Sequence, residues 1–344
     1  MNQWSKRFGL TGIVLLTLVL GACGTTTTSA GGGSQRASLK IMVGGLSKQI
    51  YLPNELTQKL GYFNEQDLDV TLIDEASGQS SEDAVLAGQV DAGSGSYNHT
   101  IELQAAGKNM ECVVQLDIAP GEAEVVATKK AGSITSPSDL QGKKLGVTEL
   151  GSGTQTLTQA ILKKAGADPN NAHYIPVGAG STFIAAMQQG AIDAGMTTEP
   201  TISKVVSSGL GKVLVDLRSP QSTQQALGGN YPFICIFMSN SYVNAHHDVV
   251  QRMVNAYTKT LKWIQSHSAA EIADKMPADY YAGDKSLYVT ALQNQKAIFS
   301  ADGTMPSDGP PTVLGIEQQI GKVKAGQNID LTKTYTNTFA STAK

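Results

Sequence analysis

The phrase Gly88-Gln89-Val90-Asp91-Ala92-Gly93 returns as Gly190-Ala191-Ile192-Asp193-Ala194-Gly195, and this repetition narrows the possible folds more than any other feature of the chain. Each copy follows a helix-like run (81–87 and 182–189), and its first glycine supplies the left-handed residue that ends a helix. A short apolar strand comes next. It breaks into Ser94-Gly95-Ser96 in one copy and Thr197-Thr198-Glu199-Pro200 in the other. Such residues expose backbone N–H and hydroxyl groups rather than pack, so each strand end makes a ligand edge.

The echo reaches upstream. Leu39-Lys40-Ile41-Met42-Val43 reads as a strand opening into Gly44-Gly45, and Lys144-Leu145-Gly146-Val147-Thr148 as one opening toward Gly151-Ser152-Gly153-Thr154. The spacings Ile41 to Asp91 and Leu145 to Asp193 are nearly equal. Two units of strand–helix–strand–helix–strand predict a two-lobed α/β protein with a single cleft. The alternative is that two unrelated helix-to-strand turns converged on a simple phrase.

Residues 1–22 read as a targeting segment. Lys6 and Arg7 precede an apolar core, and Leu20-Gly21-Ala22 ends in small residues before Cys23. That core falls short of the roughly 20 residues a membrane span needs. The pattern resembles the bacterial lipobox, which implies lipidation of Cys23, membrane tethering and an extracytoplasmic location; an ordinary secretory peptide or a retained anchor is the alternative. Residues 23–38, rich in Thr, Gly and Ser, read as a flexible leash.

Net charge is −3 over 344 residues, and Lys6 and Arg7 leave with the leader, so no basic face is available for nucleic acid. Cys112 and Cys235 sit in apolar runs and are expected as buried free thiols, with a disulfide between them as the alternative. His99, His173, His246, His247 and His267 are too scattered for a metal site, and His99 reads as a surface residue. There is no Gly-x-Ser-x-Gly, His-Glu-x-x-His or Cys-x-x-Cys motif, so neither catalysis nor a cofactor is indicated.

From Leu39 onward the order of motifs becomes specific. A Gly-rich turn and a helix lead to Gly61-Tyr62-Phe63-Asn64-Glu65-Gln66-Asp67-Leu68-Asp69-Val70. Later come Asp139-Leu140-Gln141-Gly142-Lys143-Lys144-Leu145-Gly146-Val147, a Gly-Ser-x-Thr helix start and the second Gly-x-hydrophobic-Asp-Ala. This resembles the nitrate/sulfonate/taurine substrate-binding proteins of ABC importers, whose fold is shared with proteins of thiamine-pyrimidine synthesis and salvage. The resemblance implies a type II periplasmic-binding-protein fold in which each lobe is a mixed sheet flanked by helices, joined by two hinge crossings. Lobe one would comprise 39–118 and 232–344, lobe two 121–229, with crossings near 118–121 and 228–232. It also implies a monomer that meets permease subunits.

The best local site is Gly151-Ser152-Gly153-Thr154, where a strand end meets a helix and free N–H groups, the helix dipole and two hydroxyls converge. The same geometry would serve a helix cap. Opposite it the echo places Gly45, Leu46 and Ser47, then Ser94, Gly95 and Ser96, with Thr198 and Glu199 at the last strand end. Glu75 is expected in solvent unless it turns inward, and Lys48 is expected in solvent. Residues 306–311 read as a rigid loop, and the tail from 330 as partly pinned.

The cradle favours a small organic anion captured by lobe closure. Glu75, Glu149 and Glu199, if they reach the cleft, would favour a neutral or cationic heterocycle such as a pyrimidine. A pyrimidine-synthesis enzyme is the competing class, and a lipobox argues against it. Cys23→Ser is expected to release the protein from membranes with its circular dichroism unchanged, and a variant that still sediments with membranes after a salt wash would refute lipidation there.

Overall fold

The computed structural model describes residues 36–344; the leader, Cys23 and nearly all of the leash lie outside the described residues. From the N-terminus come β1 (Ala37–Val43), β2 (Leu68–Asp74), β3 (Ala92–Ser96) and β4 (Met110–Gln115), then β5 (Glu122–Ala127), β6 (Lys144–Val147), β7 (His173–Pro176), β8 (Ala194–Thr198) and β9 (Gly211–Leu217), and last β10 (Ile234–Ser239). They build two five-stranded mixed sheets in the orders β2-β1-β3-β10-β4 and β7-β6-β8-β5-β9. The orders correspond strand for strand. In each, one strand from across the molecule, β10 or β5, runs antiparallel between the third and fourth strands of the unit.

The repeated phrase does one structural task twice. Asp91 Oδ2 accepts from the backbone N–H of Lys40 at 2.8 Å, and Asp193 Oδ2 from that of Lys144 at 3.0 Å. The aspartate N–H groups return the bond to the carbonyls of Lys40 (3.1 Å) and Lys144 (2.8 Å). Each aspartate thereby pins the start of its own strand to the parallel neighbour, at Lys40 within β1 and at Lys144 where β6 begins, which sets Ile41 opposite Ala92 and Leu145 opposite Ala194. Since a one-residue slip would turn every side chain to the other face, this clamp specifies the core.

The glycine after each Asp-Ala is required by close approach. A Cβ on Gly93 would lie 2.3 Å from the Phe237 ring, and one on Gly195 2.7 Å from the carbonyl oxygen of Gly146. Behind the first sheet runs the helix His247–Ser266, which buries Val250, Met253, Val254, Tyr257, Leu261 and Ile264 at helical spacing. From it the Tyr257 hydroxyl donates to Asn54 (2.8 Å), and Asn54 donates to Ser94 Oγ (3.1 Å), so a core helix positions a strand end.

The chain passes between the sheets after β4 and again before β10. The two passages lie side by side: the N–H of Phe233 donates to Asp117 O (2.8 Å), and that of Asp117 to Ile234 O (3.0 Å).

Four expectations change. Pro310 and Pro311 lie in the first turn of the helix Gly309–Gln319 rather than in a loop, because an initial helical turn needs no N–H donors. The tail is held: Cys112 exchanges backbone bonds with Thr334 and Thr336, and Phe339 is buried. His99 is buried, its Nδ1 3.1 Å from Glu82 Oε2. Lys48 leaves solvent for the cleft described below. Cys112 and Cys235 are both free and buried. No helix among the described residues is long and apolar enough to cross a membrane.

Gly93→Ala is expected to destabilise the protein by about 1–3 kcal/mol through overpacking. Adding Phe237→Leu should return part of that loss in a denaturation double-mutant cycle; strictly additive effects would show that the Phe237 ring is not the obstacle.

Candidate functional site

The carboxyl ends of the parallel strands in both sheets face a cavity of ≈ 1160 Å³, the place where open α/β sheets receive ligands. The first sheet contributes Gly45, Ser47 and Lys48 after β1 and Asp74 and Glu75 at the end of β2. The second contributes Thr148 and Glu149 after β6, residues 177–182 after β7, and Glu199 to Thr201 after β8, while Asp279 and Tyr280 come from the C-terminal third of the chain. Adjoining it is a recess of ≈ 20 Å³, lined from both sheets by Tyr51, Ser96, Glu122, Ser152, Gly153, Thr154 and Phe233, with Lys48 and Thr148 common to both spaces.

The cavity wall is acidic. Asp74, Glu75, Glu149, Glu199 and Asp279 face it against the ammonium groups of Lys48 and Lys204. Glu199 is fully buried and neutralised from behind by Arg218 at 2.7 Å, which also pairs with Asp216 at 2.7 Å. Its second oxygen accepts from the N–H of Ser203 (2.9 Å), starting the helix Thr201–Ser207. Glu149 reaches across to the first sheet, accepting from the hydroxyls of Ser77 and of Ser80, the latter at 2.9 Å. Gln49 N–H donates to Glu199 O at 3.0 Å from the same side. The two walls are thus in direct contact beside the recess.

Lys48 is half-buried between them, its ammonium donating to the carbonyls of Gly44 (2.6 Å) and Ala76 (2.7 Å). Burial lowers its pKa to about 8, against the opposing pull of nearby carboxylates. Glu122 is 3% exposed, and its Oε2 has no hydrogen-bond partner among the described residues. Burial is the largest influence on its carboxyl and holds it well above the ordinary range despite Lys48, while Glu122, Asp74 and Glu149 in turn oppose the lowering at Lys48. Two residues along β5, on the same face, Glu124 accepts from Thr158 Oγ1 at 3.0 Å.

The hydroxyls of the helix-start cradle are engaged within the turn. Thr154 Oγ1 accepts from the N–H of Thr148 (2.9 Å), and Ser152 Oγ donates to Glu149 O (2.7 Å). Both residues line the recess together with Ser96 and Gly153; a Cβ on Gly153 would lie 2.7 Å from Ser96 Oγ. Gly45, Ser47, Glu75 and Glu199 line the outer cavity. The remaining expected residues support the walls. Leu46 N–H donates to Asp74 Oδ1 (2.6 Å), Ser94 holds Asn54, Gly95 packs on Phe237 and Gly78, Gly151 N–H donates to Gln155 (2.7 Å), and Thr198 is buried in β8.

Sequence reasoning missed Tyr51 and Glu122 and sent Lys48 to solvent. A signal for Glu122 was present: Glu122-Ala123-Glu124 sets two acids on one face of a strand that is otherwise apolar.

Glu124 provides a test of these buried acids. Burial raises its pKa from 4.5 to about 8, opposed by the bond from Thr158. Below pH 4.5 both folded and unfolded states are protonated. Between 4.5 and 8 only the unfolded state gives up its proton, so Glu124 lowers stability as pH rises through that window. Glu124→Gln, which cannot titrate, is expected to lose less stability than wild type between pH 5 and 8 in urea melts. Parallel pH profiles would contradict the assignment.

A family model described as NMT1/THI5 like matches residues 53–270. A solved structure from Bordetella bronchiseptica RB50 is 33% identical with a TM-score of 0.85, covering 88% of this chain and 96% of that one. The same fold occurs in the ligand-binding component of an ABC-type import system from Staphylococcus aureus with zinc bound (15% identity, TM-score 0.68, 90% of this chain and 99% of that one). It also occurs in the periplasmic nitrate-binding protein NrtA from Synechocystis PCC 6803 (12%, 0.72, 89% and 87%). The 4-amino-5-hydroxymethyl-2-methylpyrimidine phosphate synthase THI13 of Saccharomyces cerevisiae is 29% identical over 150 residues, 43% of this chain and 42% of the yeast protein. A family match over more than half its length, joined to this two-sheet architecture, makes the chain a member of the NMT1/THI5-like family.

Proposed function

We propose that the chain is the extracytoplasmic solute receptor of an ABC importer, tethered through Cys23, which closes two lobes on a small nitrogen heterocycle, neutral or cationic, and presents it to permease subunits. The import role is supported by the ligand-binding proteins that share the fold. Lobe one, 39–118 with 232–344, carries the first sheet and lobe two, 121–229, the second; the paired passages at Asp117 and Phe233 act as the hinge.

The observation that carries the ligand class is the acidic wall. Each uncompensated carboxylate about 6 Å from a bound anion costs it about 3 kcal/mol at an effective dielectric near 20. Asp74, Glu75, Glu149 and Asp279 together outweigh Lys48 and Lys204. The helix start offers little in return, since the Ser152 and Thr154 hydroxyls are committed to the turn. A heterocycle bearing N–H donors therefore ranks above the nitrate, sulfonate or carboxylate that the sequence alone put first.

A pyrimidine-forming enzyme is the second reading, favoured by the yeast relative and by Lys48, whose lowered pKa suits a nucleophile. Calorimetry with 4-amino-5-hydroxymethyl-2-methylpyrimidine, taurine and nitrate separates these possibilities. The heterocycle is expected to bind and to shrink the radius of gyration in solution scattering, and to be recovered unchanged. Preferential binding of taurine or nitrate would overturn the ligand class, and appearance of a pyrimidine from the purified protein when none is supplied would favour the enzyme.

A further inference from the structure

Glu149 leaves the second sheet just after β6 and ends on the first, where its Oε2 accepts from the hydroxyls of Ser77 and Ser80, the latter at 2.9 Å. Ser77 caps the helix Gly78–Leu86 by accepting from the N–H of Ser80 (3.4 Å), so the carboxylate lies against the first turn of that helix, where the dipole favours negative charge. Hydrogen bonds to a charged acceptor are stronger than those between neutral partners. The fit beside the contact is close: a Cβ on Gly151 would lie 3.1 Å from Gln79 Oε1.

Position separates this contact from the bonds at the chain passages. Ser77 lines the recess and Glu149 the outer cavity, so the bond stands between the two spaces, in the cleft itself. The bonds at Asp117 and Phe233 join buried residues of the passages, whose backbone links the sheets however they are turned. Those bonds persist while one sheet rotates against the other. A bond across the cleft does not, because its two ends part as soon as the cleft widens. Glu149 and Ser80 are only half-buried, so water replaces the lost partners at small cost. The contact is therefore reversible, and every group in it belongs to the protein.

We propose that Glu149 is a latch that closes the cleft from within: docked on Ser77 and Ser80, it holds the second lobe against the first before a ligand arrives, and its release opens the cavity. The latch rests on the two-lobe closure reading above, not on the ligand class, and adds the group that sets the balance between open and closed forms. A ligand then meets a protein already biased toward closure, which raises its apparent affinity without any contact from Ser77 or Ser80.

The test is solution scattering without ligand on wild type, Ser80→Ala, Glu149→Ala and the double variant, each curve fitted as a mixture of open and closed forms. Ser80 lines neither space and carries no charge, so its loss leaves the cavity wall as it is. Glu149→Ala is expected to lower the closed-to-open ratio about tenfold, with a larger radius of gyration, and Ser80→Ala to lower it by a smaller factor. The double variant should match Glu149→Ala, because Ser80 then has no carboxylate to hold. Coincident curves for wild type and Glu149→Ala overturn the latch, and so does a Ser80→Ala effect that persists undiminished in the Glu149→Ala background. Should Glu149→Ala fail to fold by circular dichroism, Ser80→Ala decides alone, and a curve identical to wild type overturns the latch. Adding 4-amino-5-hydroxymethyl-2-methylpyrimidine, taurine or nitrate distinguishes this failure from that of the closure reading. Curves that coincide among the variants yet shrink together with one of the probes show closure without a latch, whereas curves that no variant and no probe alters overturn closure itself.

Discussion

A carboxylate that accepts from a backbone N–H of the neighbouring parallel strand is the interaction on which the rest depends. Asp91 and Asp193 each make it, each after a helix-ending glycine and each before Ala-Gly. With the register fixed, the carboxyl ends are fixed as well, and those ends are the walls of the cleft. Gly93 and Gly195 allow the neighbouring ring and backbone to approach closely enough for the sheets to pack, at a distance no side chain would tolerate. The duplication is therefore more than a trace of history, because two equivalent clamps present two equivalent strand edges to one space.

The cleft concentrates ionisable groups that water would otherwise solvate. Glu199 is stabilised by Arg218 from behind, Glu149 by hydroxyls from across the gap, and Lys48 by two carbonyls. Burial pushes the Glu122 carboxyl up, and its Oε2 has no hydrogen-bond partner among the described residues. This ring of carboxylates around Lys48 distinguishes the site from a simple helix-terminus anion cradle. The helix start at Gly153 is present, but its hydroxyls bond to the turn that precedes it, and Ser152 makes no side-chain bond to the helix N–H groups, so it does not cap the helix either.

A second buried polar cluster lies on the side of the helix Gly153–Lys164 near Lys322. There Lys322 bridges Glu102 (2.9 Å) and Thr156 (2.7 Å), joining a first-sheet helix to a second-sheet helix. Such a bridge ties the position of the recess wall to the segment that follows the helix Gly309–Gln319. It shows how a residue remote in sequence holds a cleft element in place.

The sequence by itself determined the two-unit α/β plan, because hydrophobic period, helix-ending glycines and the repeated aspartate are local signals that act within one unit. It also determined the candidate loops at residues 45–47, 94–96 and 151–154, since strand ends that break into Gly and Ser are visible without a partner. Only the tertiary structure decided what those loops do. Whether Lys48 is solvated or held against Ala76, and whether His99 is exposed or beside Glu82, depend on groups elsewhere in the chain. Burial of Glu122 depends on both sheets meeting. Desolvation is a property of the assembled surroundings, so the charge of the cleft, and with it the ligand class it favours, becomes legible only after folding brings its walls together.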